Sequence, residues 1–313
     1  MLNILFMGTP DFAQESLKCL VEEKYNIIGV VTNPDRPKGR GMKMVASPVK
    51  EFAVSKDLKI YQPEKVRNNV EFIEEIKKIE PDVICVVAYG KILPKEILEI
   101  PKFGCINVHG SLLPKYRGAA PIQWAVINGE KVTGVTTMYM DVGMDTGDMI
   151  LKEETEIVPD ETTGELWDRL AKIGADLLVK TLEQIENKTA PRIPQGEDFS
   201  MAPMLDKEMS KIDWESKTAQ EIKNLVRGLN PIMGTYSYLN GKKIKIWKVD
   251  VVEANSEDTK NGTVLKSDSK DGLYIKAKDG VIKVLEIQGE NAKRMNVQDF
   301  LRGNQIEVGS IFE

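Results

Sequence analysis

Short apolar runs alternate with amphipathic helical stretches across the first two hundred residues of this 313-residue chain. No other feature of the sequence limits its fold as strongly. Residues 2–7 are apolar and end in Gly8-Thr9-Pro10, and residues 11–23 then place Phe12, Leu17, Leu20 and Val21 at helical spacing. The runs NIIGVVT (26–32) and DVICVVAY (82–89) read as buried strands. Between them, residues 66–79 put Phe72, Ile73 and Ile76 on one helical face. Parallel neighbours need a crossover of a dozen residues or more, and helices of this length supply it. The alternation therefore predicts βαβ units, a mostly parallel sheet and right-handed crossovers, an α/β class of Rossmann-like type. Residues 105–109, 134–140 and 149–157 add strands, and 162–187 reads as a long helix with Leu166, Leu170, Ile173 and Leu177 in phase.

The texture changes at residues 188–204, which hold three prolines and no period, a linker composition. A helical segment near 218–229 follows. Short β-rich runs come next, at 235–239, 243–252, 262–267, 273–277 and 281–288. Asn240-Gly241, Asn261-Gly262, Asp271-Gly272 and Asp279-Gly280 separate or flank them. Such turns between short strands predict a small antiparallel β-barrel, OB-like in size. The expected division is a domain over 1–188, a linker over 189–205 and a barrel domain over 206–313, consistent with a chain 42% hydrophobic and long enough for two cores.

Other signals exclude more than they specify. No run of 18 apolar residues occurs, so no membrane span is expected. The opening MLNILFMGTPDFA reads as a first strand rather than a signal peptide. Cys19, Cys85 and Cys105 show neither disulfide spacing nor a CxxC metal pattern. Free thiols in a reducing cytoplasmic setting are expected. Net charge is −5, and from Asp206 onward 18 Lys and Arg stand against 17 Asp and Glu. Charge alone does not suggest RNA; any such contact would use local patches.

The single histidine, His109, lies where a strand runs out into a loop, and alternation puts Asn107 on the same face. Ligands of open α/β sheets collect outside the carboxyl ends of the strands. A lone histidine is more often structural than catalytic, so its polar neighbours matter. A second patch, residues 140–148, carries Asp141, Asp145 and Asp148 interleaved with two glycines. It could cap a turn, bind a cation, or orient and charge the histidine. The regular oxygen spacing and downstream glutamate of a calcium loop are missing, as are the ligands of a zinc site, so no metal is expected. Gly8-Thr9-Pro10 lacks the G-x-G-x-x-G fingerprint, which argues against a bound dinucleotide.

The stretches NVHGSLLPKYRGAAPIQWA (107–125) and GVTTMYMDVGMDTGDMI (134–150) together resemble the folate-dependent formyltransferases. GTPDFA (8–13) and TNPDRPKGRG (32–41) are similar to the branch of that family acting on methionyl-tRNA. The resemblance spans essentially the whole chain. It implies a donor co-substrate, 10-formyltetrahydrofolate, an acceptor amine on methionyl initiator tRNA, and a monomer. It also implies a catalytic set of Asn107, His109 and Asp145. Asn107 and a protonated His109 would stabilise the oxyanion of a tetrahedral intermediate, and Asp145 would hold the histidine charged and relay a proton through water. By the same resemblance Ser111, Leu112, Leu113 and Pro114 contact folate, Tyr89, Gly90, Ile92 and Leu93 hold the pterin ring, and Asp141 lines its pocket. An ordinary strand-to-helix turn is the plainer reading of residues 87–94.

Residues 33–44 hold Arg36, Lys38, Arg40 and Lys43 among prolines and glycines, which by composition is a solvated loop. In the resembling family this insertion reaches the acceptor end of tRNA. In the barrel, Lys243 and Lys245 share a face that Trp247 continues. That face is either simply solvated or suited to sugar–phosphate contact and stacking. Three competing readings are small-amine formylation (a glycinamide ribonucleotide or an amino-sugar nucleotide), a formate-releasing hydrolase, and a non-catalytic RNA-binding module. A second domain and the PDRPKGRG loop speak against the ribonucleotide. Intact Asn107, His109 and Asp145 speak against the non-catalytic module, and the lack of an N-terminal regulatory domain against the hydrolase.

Overall fold

A computed structural model describes residues 1–38, 41–253 and 259–313. Its contacts group into two compact units. The first comprises residues 1–121, 132–156 and 167–203, and the second 122–131, 157–166 and 204–313.

In the first unit β1 (Asn3–Gly8) is buried over five consecutive positions, as a strand covered on both faces must be. Next come α1 (Asp11–Glu22), β2 (Asn26–Val31), the short pair β3 (Arg36–Lys38) and β4 (Lys43–Val45), and α2 (Pro48–Ser55). After them lie β5 (Ile60–Tyr61), α3 (Val70–Ile79), β6 (Val83–Val87), α4 (Lys95–Leu98) and β7 (Cys105–His109). Beyond α5 (Pro121–Ile127), most of which groups with the second unit, come β8 (Val132–Tyr139), β9 (Met149–Glu156) and the long α6 (Thr163–Glu186). Among the described residues the sheet order is β5-β2-β1-β6-β7-β8-β9. The strands from β5 to β7 are parallel, and β8 and β9 join antiparallel.

The predicted amphipathic face of α3 is the one that buries. Phe72, Ile73 and Ile76 pack with Leu5, Met7, Ile84 and Val86 of the sheet. Against the other part of the sheet, Gly174 of α6 lies so close that an added Cβ would sit 2.9 Å from Val108 Cγ1. The β3–β4 hairpin has no such cover, and Met42, Met44 and Val45 are exposed. Its base is fixed by Asp35, whose carboxylate accepts from Lys50 at 2.7 Å and from Gln62 at 2.9 Å.

The second unit carries α7 (Ala219–Gly228), begun by a capping box in which Thr218 and Glu221 satisfy each other's backbone amides. Its strands are β10 (Thr235–Leu239), β11 (Lys242–Val252), β12 (Val264–Asp268), β13 (Gly272–Lys276), β14 (Val281–Gln288) and β15 (Met295–Asn296), followed by α8 (Val297–Gly303). The path β10-β11-β14-β13-β12 is antiparallel throughout, with β15 on β14. Both edges of this path meet the last residues of the chain. Tyr238 N and Glu313 N each donate to the other's carbonyl at 2.8 and 2.9 Å, while Val264 N donates to Ser310 O and Phe312 N to Gly262 O. The C-terminal segment thus closes the sheet into a barrel, removing edges that would otherwise be open to foreign strands. Phe312, 1% exposed, reaches into the core beside Trp214.

Phe312→Ala removes this aromatic from the closing segment. We expect a loss of about 3–5 kcal/mol, read as a lower midpoint of the barrel's transition in urea-induced unfolding followed by tryptophan fluorescence.

Candidate active site

β7 exits the sheet at its carboxyl end with Asn107 opposite Met138 and His109 opposite Thr136 of β8. His109 is buried. Its Nε2 lies 2.9 Å from the carbonyl oxygen of Tyr116. A carbonyl only accepts, so Nε2 carries a proton. Nδ1 faces Asp145, 3.7 Å from Oδ2, an ion-pair rather than a hydrogen-bond distance. Asn107 Nδ2 stands 3.5 Å from the other oxygen, Oδ1. The amide of Gly118 donates to Oδ2 at 2.8 Å. Asn107, His109 and Gly118 therefore surround the Asp145 carboxylate.

Asp145 itself has φ +55°, in the left-handed region that costs a residue with a Cβ about 1 kcal/mol. The turn holding it is capped by Asp141, whose Oδ1 accepts from Gly143 N at 2.9 Å and Thr146 Oγ1 at 2.6 Å. Gly147 comes so near the carbonyl of Tyr139 that no Cβ would fit, its ideal position being 1.7 Å from that oxygen. Asp141 is exposed and occupied in this cap.

The loop after His109 is pinned from beneath. Thr136 Oγ1 donates to Ser111 O at 2.7 Å and accepts from Leu113 N at 3.1 Å, Ser111 Oγ donates to Lys115 O, and the Lys152 ammonium bonds Leu113 O. Leu113 is wholly buried with Met138 and Met149. Tyr89 and Leu93 likewise sit in the sheet's core cluster. The burial of Tyr89 pushes its phenol above the usual tyrosine range. The two segments therefore turn these apolar side chains inward. Leu112 and Pro114 are half-buried, Ile92 is exposed, and Gly90, at φ +77°, has open space where a Cβ would stand.

Residues 188–204 form no element of regular structure longer than a bridge, yet they are tied to the site. Ile193 pairs with Met149, Met201 with Arg117, and Tyr116 N donates to Ser200 Oγ. Arg117 and Gln195, which the sequence reading did not single out, lie here. Arg117 was visible within the motif, whereas Gln195, between proline and glycine, carried no signal.

The basic residues occupy different surroundings. Arg36 and Lys43 are exposed on the β3–β4 hairpin, while Arg40 and the Lys38 side chain lie outside the described residues. On the barrel, Lys243 Nζ sits 3.5 Å above the Tyr236 ring, and Lys245 Nζ lies 5.0 Å from the Trp247 ring and donates to Met233 O. Burial, and secondarily Lys243, lowers the Lys245 ammonium below the usual lysine range. Arg294 stacks on Trp247 at 4.9 Å. Among the described residues no group of three His, Cys, Asp or Glu is placed to hold a metal ion, and no helix is long and apolar enough to cross a membrane.

Comparison with known proteins adds the following. The formyl transferase family model matches residues 2–182, and that of the formyl transferase C-terminal domain matches residues 204–305. The methionyl-tRNA formyltransferase of Clostridioides difficile is 53% identical over 311 residues, 99% of each chain, and that of Ruminiclostridium cellulolyticum is 51% identical over 310 residues, 98% of each. Among solved structures, an N-formyltransferase from Helicobacter canadensis, in complex with folinic acid and dTDP-3-aminofucose, shares the fold at TM-score 0.67 and 20% identity. The match covers 94% of this chain and 100% of that one. HypX from Aquifex aeolicus, in complex with tetrahydrofolic acid, matches at TM-score 0.64 and 17% identity. It covers 98% of this chain, which spans 50% of that longer one. Matched by both models, and about half identical to relatives over nearly its full length, the chain belongs to the formyl transferase family.

Proposed function

We propose that this enzyme transfers the formyl group of 10-formyltetrahydrofolate to the amino group of methionyl initiator tRNA. The relatives named methionyl-tRNA formyltransferase, about half identical over both units, support the substrates. One observation carries the chemistry: the Asp145 carboxylate lies within 3.7 Å of His109 Nδ1 and 3.5 Å of Asn107 Nδ2.

Attack by the amine forms an N–C bond to the formyl carbon and places negative charge on the former carbonyl oxygen. Asn107 Nδ2–H and the protonated Nδ1 of His109 are the donors suited to that oxygen. Nε2 is committed to Tyr116 and takes no part. The attacking nitrogen releases a proton as the folate nitrogen takes one up and leaves. Asp145, bordering both donors, faces His109 Nδ1 and passes the proton through water. No covalent enzyme intermediate is required.

For the donor, residues 89–93 and 111–114 offer backbone groups and open space rather than large side chains. Folate would lie against Gly90, Ile92, Leu112 and Pro114, with Tyr89, Leu93, Ser111 and Leu113 fixing the walls from behind. Asp141 lines this pocket through the turn it caps. In this reading residues 1–188 bind folate and catalyse, 189–205 link, and 206–313 engage tRNA. Arg36, Lys38, Arg40 and Lys43 contact the acceptor end. Lys243 and Lys245 meet phosphates beside the stacking faces of Tyr236 and Trp247. The enzyme works as a cytoplasmic monomer.

With charged initiator tRNA as acceptor, Asn107→Ala and His109→Ala should each lower kcat on the order of 100–1,000-fold while leaving folate binding little changed. Near-normal turnover in either variant refutes the oxyanion role. Formylation of free methionine as fast as the charged tRNA refutes the RNA assignment. Lys243→Ala and Lys245→Ala should each flatten the dependence of log(kcat/KM) on log salt by about one unit of slope. Unchanged slopes in both would remove phosphate contact from this face.

A further inference from the structure

Gln195 makes contacts out of proportion to its setting in a proline-rich stretch. Its Nε2 donates to the carbonyl oxygens of Asp145 and Gly147, each at 2.8 Å. Its Oε1 accepts from Arg117 Nε at 2.9 Å. An arginine can only donate, so the atom facing it is the oxygen, and the amide's orientation is fixed by chemistry. Arg117 is in turn 8% exposed and lies 4.6 Å from the Phe199 ring. Its amide donates to Ser200 O, and its carbonyl accepts from Ala202 N. The next residue, Gly118, donates to Asp145 Oδ2.

These bonds form a closed ring. Residues 117 and 118 hold Asp145 twice, at its carboxylate through the Gly118 amide and at its own carbonyl through Arg117 and Gln195. We propose that Gln195 is a positioning residue that keeps the Asp145 carboxylate between Asn107 and His109, an inference resting on the reading of those three as the catalytic set. The left-handed backbone of Asp145 explains the need. A residue with a Cβ holds that conformation only where its surroundings fix it, and a relaxed turn would carry the carboxylate away from both neighbours. The role requires a neutral amide. Two carbonyl oxygens need a two-proton donor, and a carboxylate there would set oxygen against oxygen while still pairing with Arg117.

The test uses the full chain, with Gln195→Ala, Gln195→Glu and Asp145→Asn alone, and Gln195→Ala combined with Asp145→Asn. Steady-state formylation of charged initiator tRNA gives kcat and KM, and melting temperatures are recorded alongside. We expect both single Gln195 variants to lose kcat on the order of 10–100-fold, with KM for the folate donor little changed. In the Asp145→Asn background, Gln195→Ala should add almost nothing. The proposal is overturned by wild-type kcat in folded Gln195→Ala, by full activity in Gln195→Glu, or by a loss that multiplies with that of Asp145→Asn. If Gln195→Ala melts below the assay temperature, Gln195→Glu, which keeps the Arg117 partner, decides alone. A fully active Asp145→Asn enzyme refutes instead the catalytic reading of Asp145, whatever Gln195 does.

Discussion

The carboxylate of Asp145 is where three separate parts of the first unit meet. One is the carboxyl end of β7, another is the loop through Gly118, and the third is the turn after β8. Each is held by a different kind of force. β7 is a central strand, bonded on both sides and packed on both faces, so the Cα positions of Asn107 and His109 cannot shift without disturbing the core. The loop is fixed by long-range hydrogen bonds to Thr136 and Ser200. The acidic turn has the least intrinsic support, since its key residue adopts an unfavourable backbone conformation. Side chains from elsewhere reach it, Asn107 at the carboxylate and Gln195 at the carbonyls of Asp145 and Gly147. Two side chains are thus set by the scaffold, and the carboxylate is brought to meet them by contacts made elsewhere in the unit.

The sequence disclosed the scaffold because two periodicities write it. The run at residues 82–89 and the helical spacing of Phe72, Ile73 and Ile76 report burial directly, and those side chains occupy one core. The same logic placed Asn107 and His109 on one face, since alternation along a strand is fixed by the pleat. Period says nothing about what is brought near from elsewhere. Asp145 lies 38 residues from Asn107, and the distance between them follows from loop conformation and a left-handed residue that leave no mark on hydropathy. Gln195 was hidden for the opposite reason. A proline-rich composition correctly signals the absence of regular structure, but absence of a period is not absence of contacts. The inward turn of Tyr89 and Leu93 was also beyond reach, because a strand running into a loop does not announce which side chains continue into the core.

Electrostatics shows the same limit. A chain of net charge −5 is a poor candidate for RNA by global field, and its barrel half is nearly neutral. What the fold supplies is arrangement. Lys243 is placed against Tyr236 across the β10–β11 ladder, Lys245 lies against Trp247 two residues on along β11, and Arg294, just before β15, stacks on that same ring. Cations held against aromatic faces lose less side-chain freedom on meeting a phosphate than extended, solvated lysines do, and the rings remain stacking surfaces. Four lysines on one strand are legible as charge. The approach of Lys243 to the Tyr236 ring requires knowing that β10 runs antiparallel beside β11.

The orientation of His109 ties these parts together. Because Nε2 is bound to a backbone carbonyl, the ring is held in one orientation, with Nδ1 facing the Asp145 carboxylate. Had a side chain taken the place of the Tyr116 carbonyl, it could itself have exchanged protons and blurred the role of each nitrogen. A backbone acceptor cannot titrate. The ring's orientation is therefore tied to the loop whose far end donates to Asp145 through Gly118. Histidine orientation and carboxylate placement thus both draw on the loop from Ser111 to Gly118, and a distortion of that loop would be felt by both.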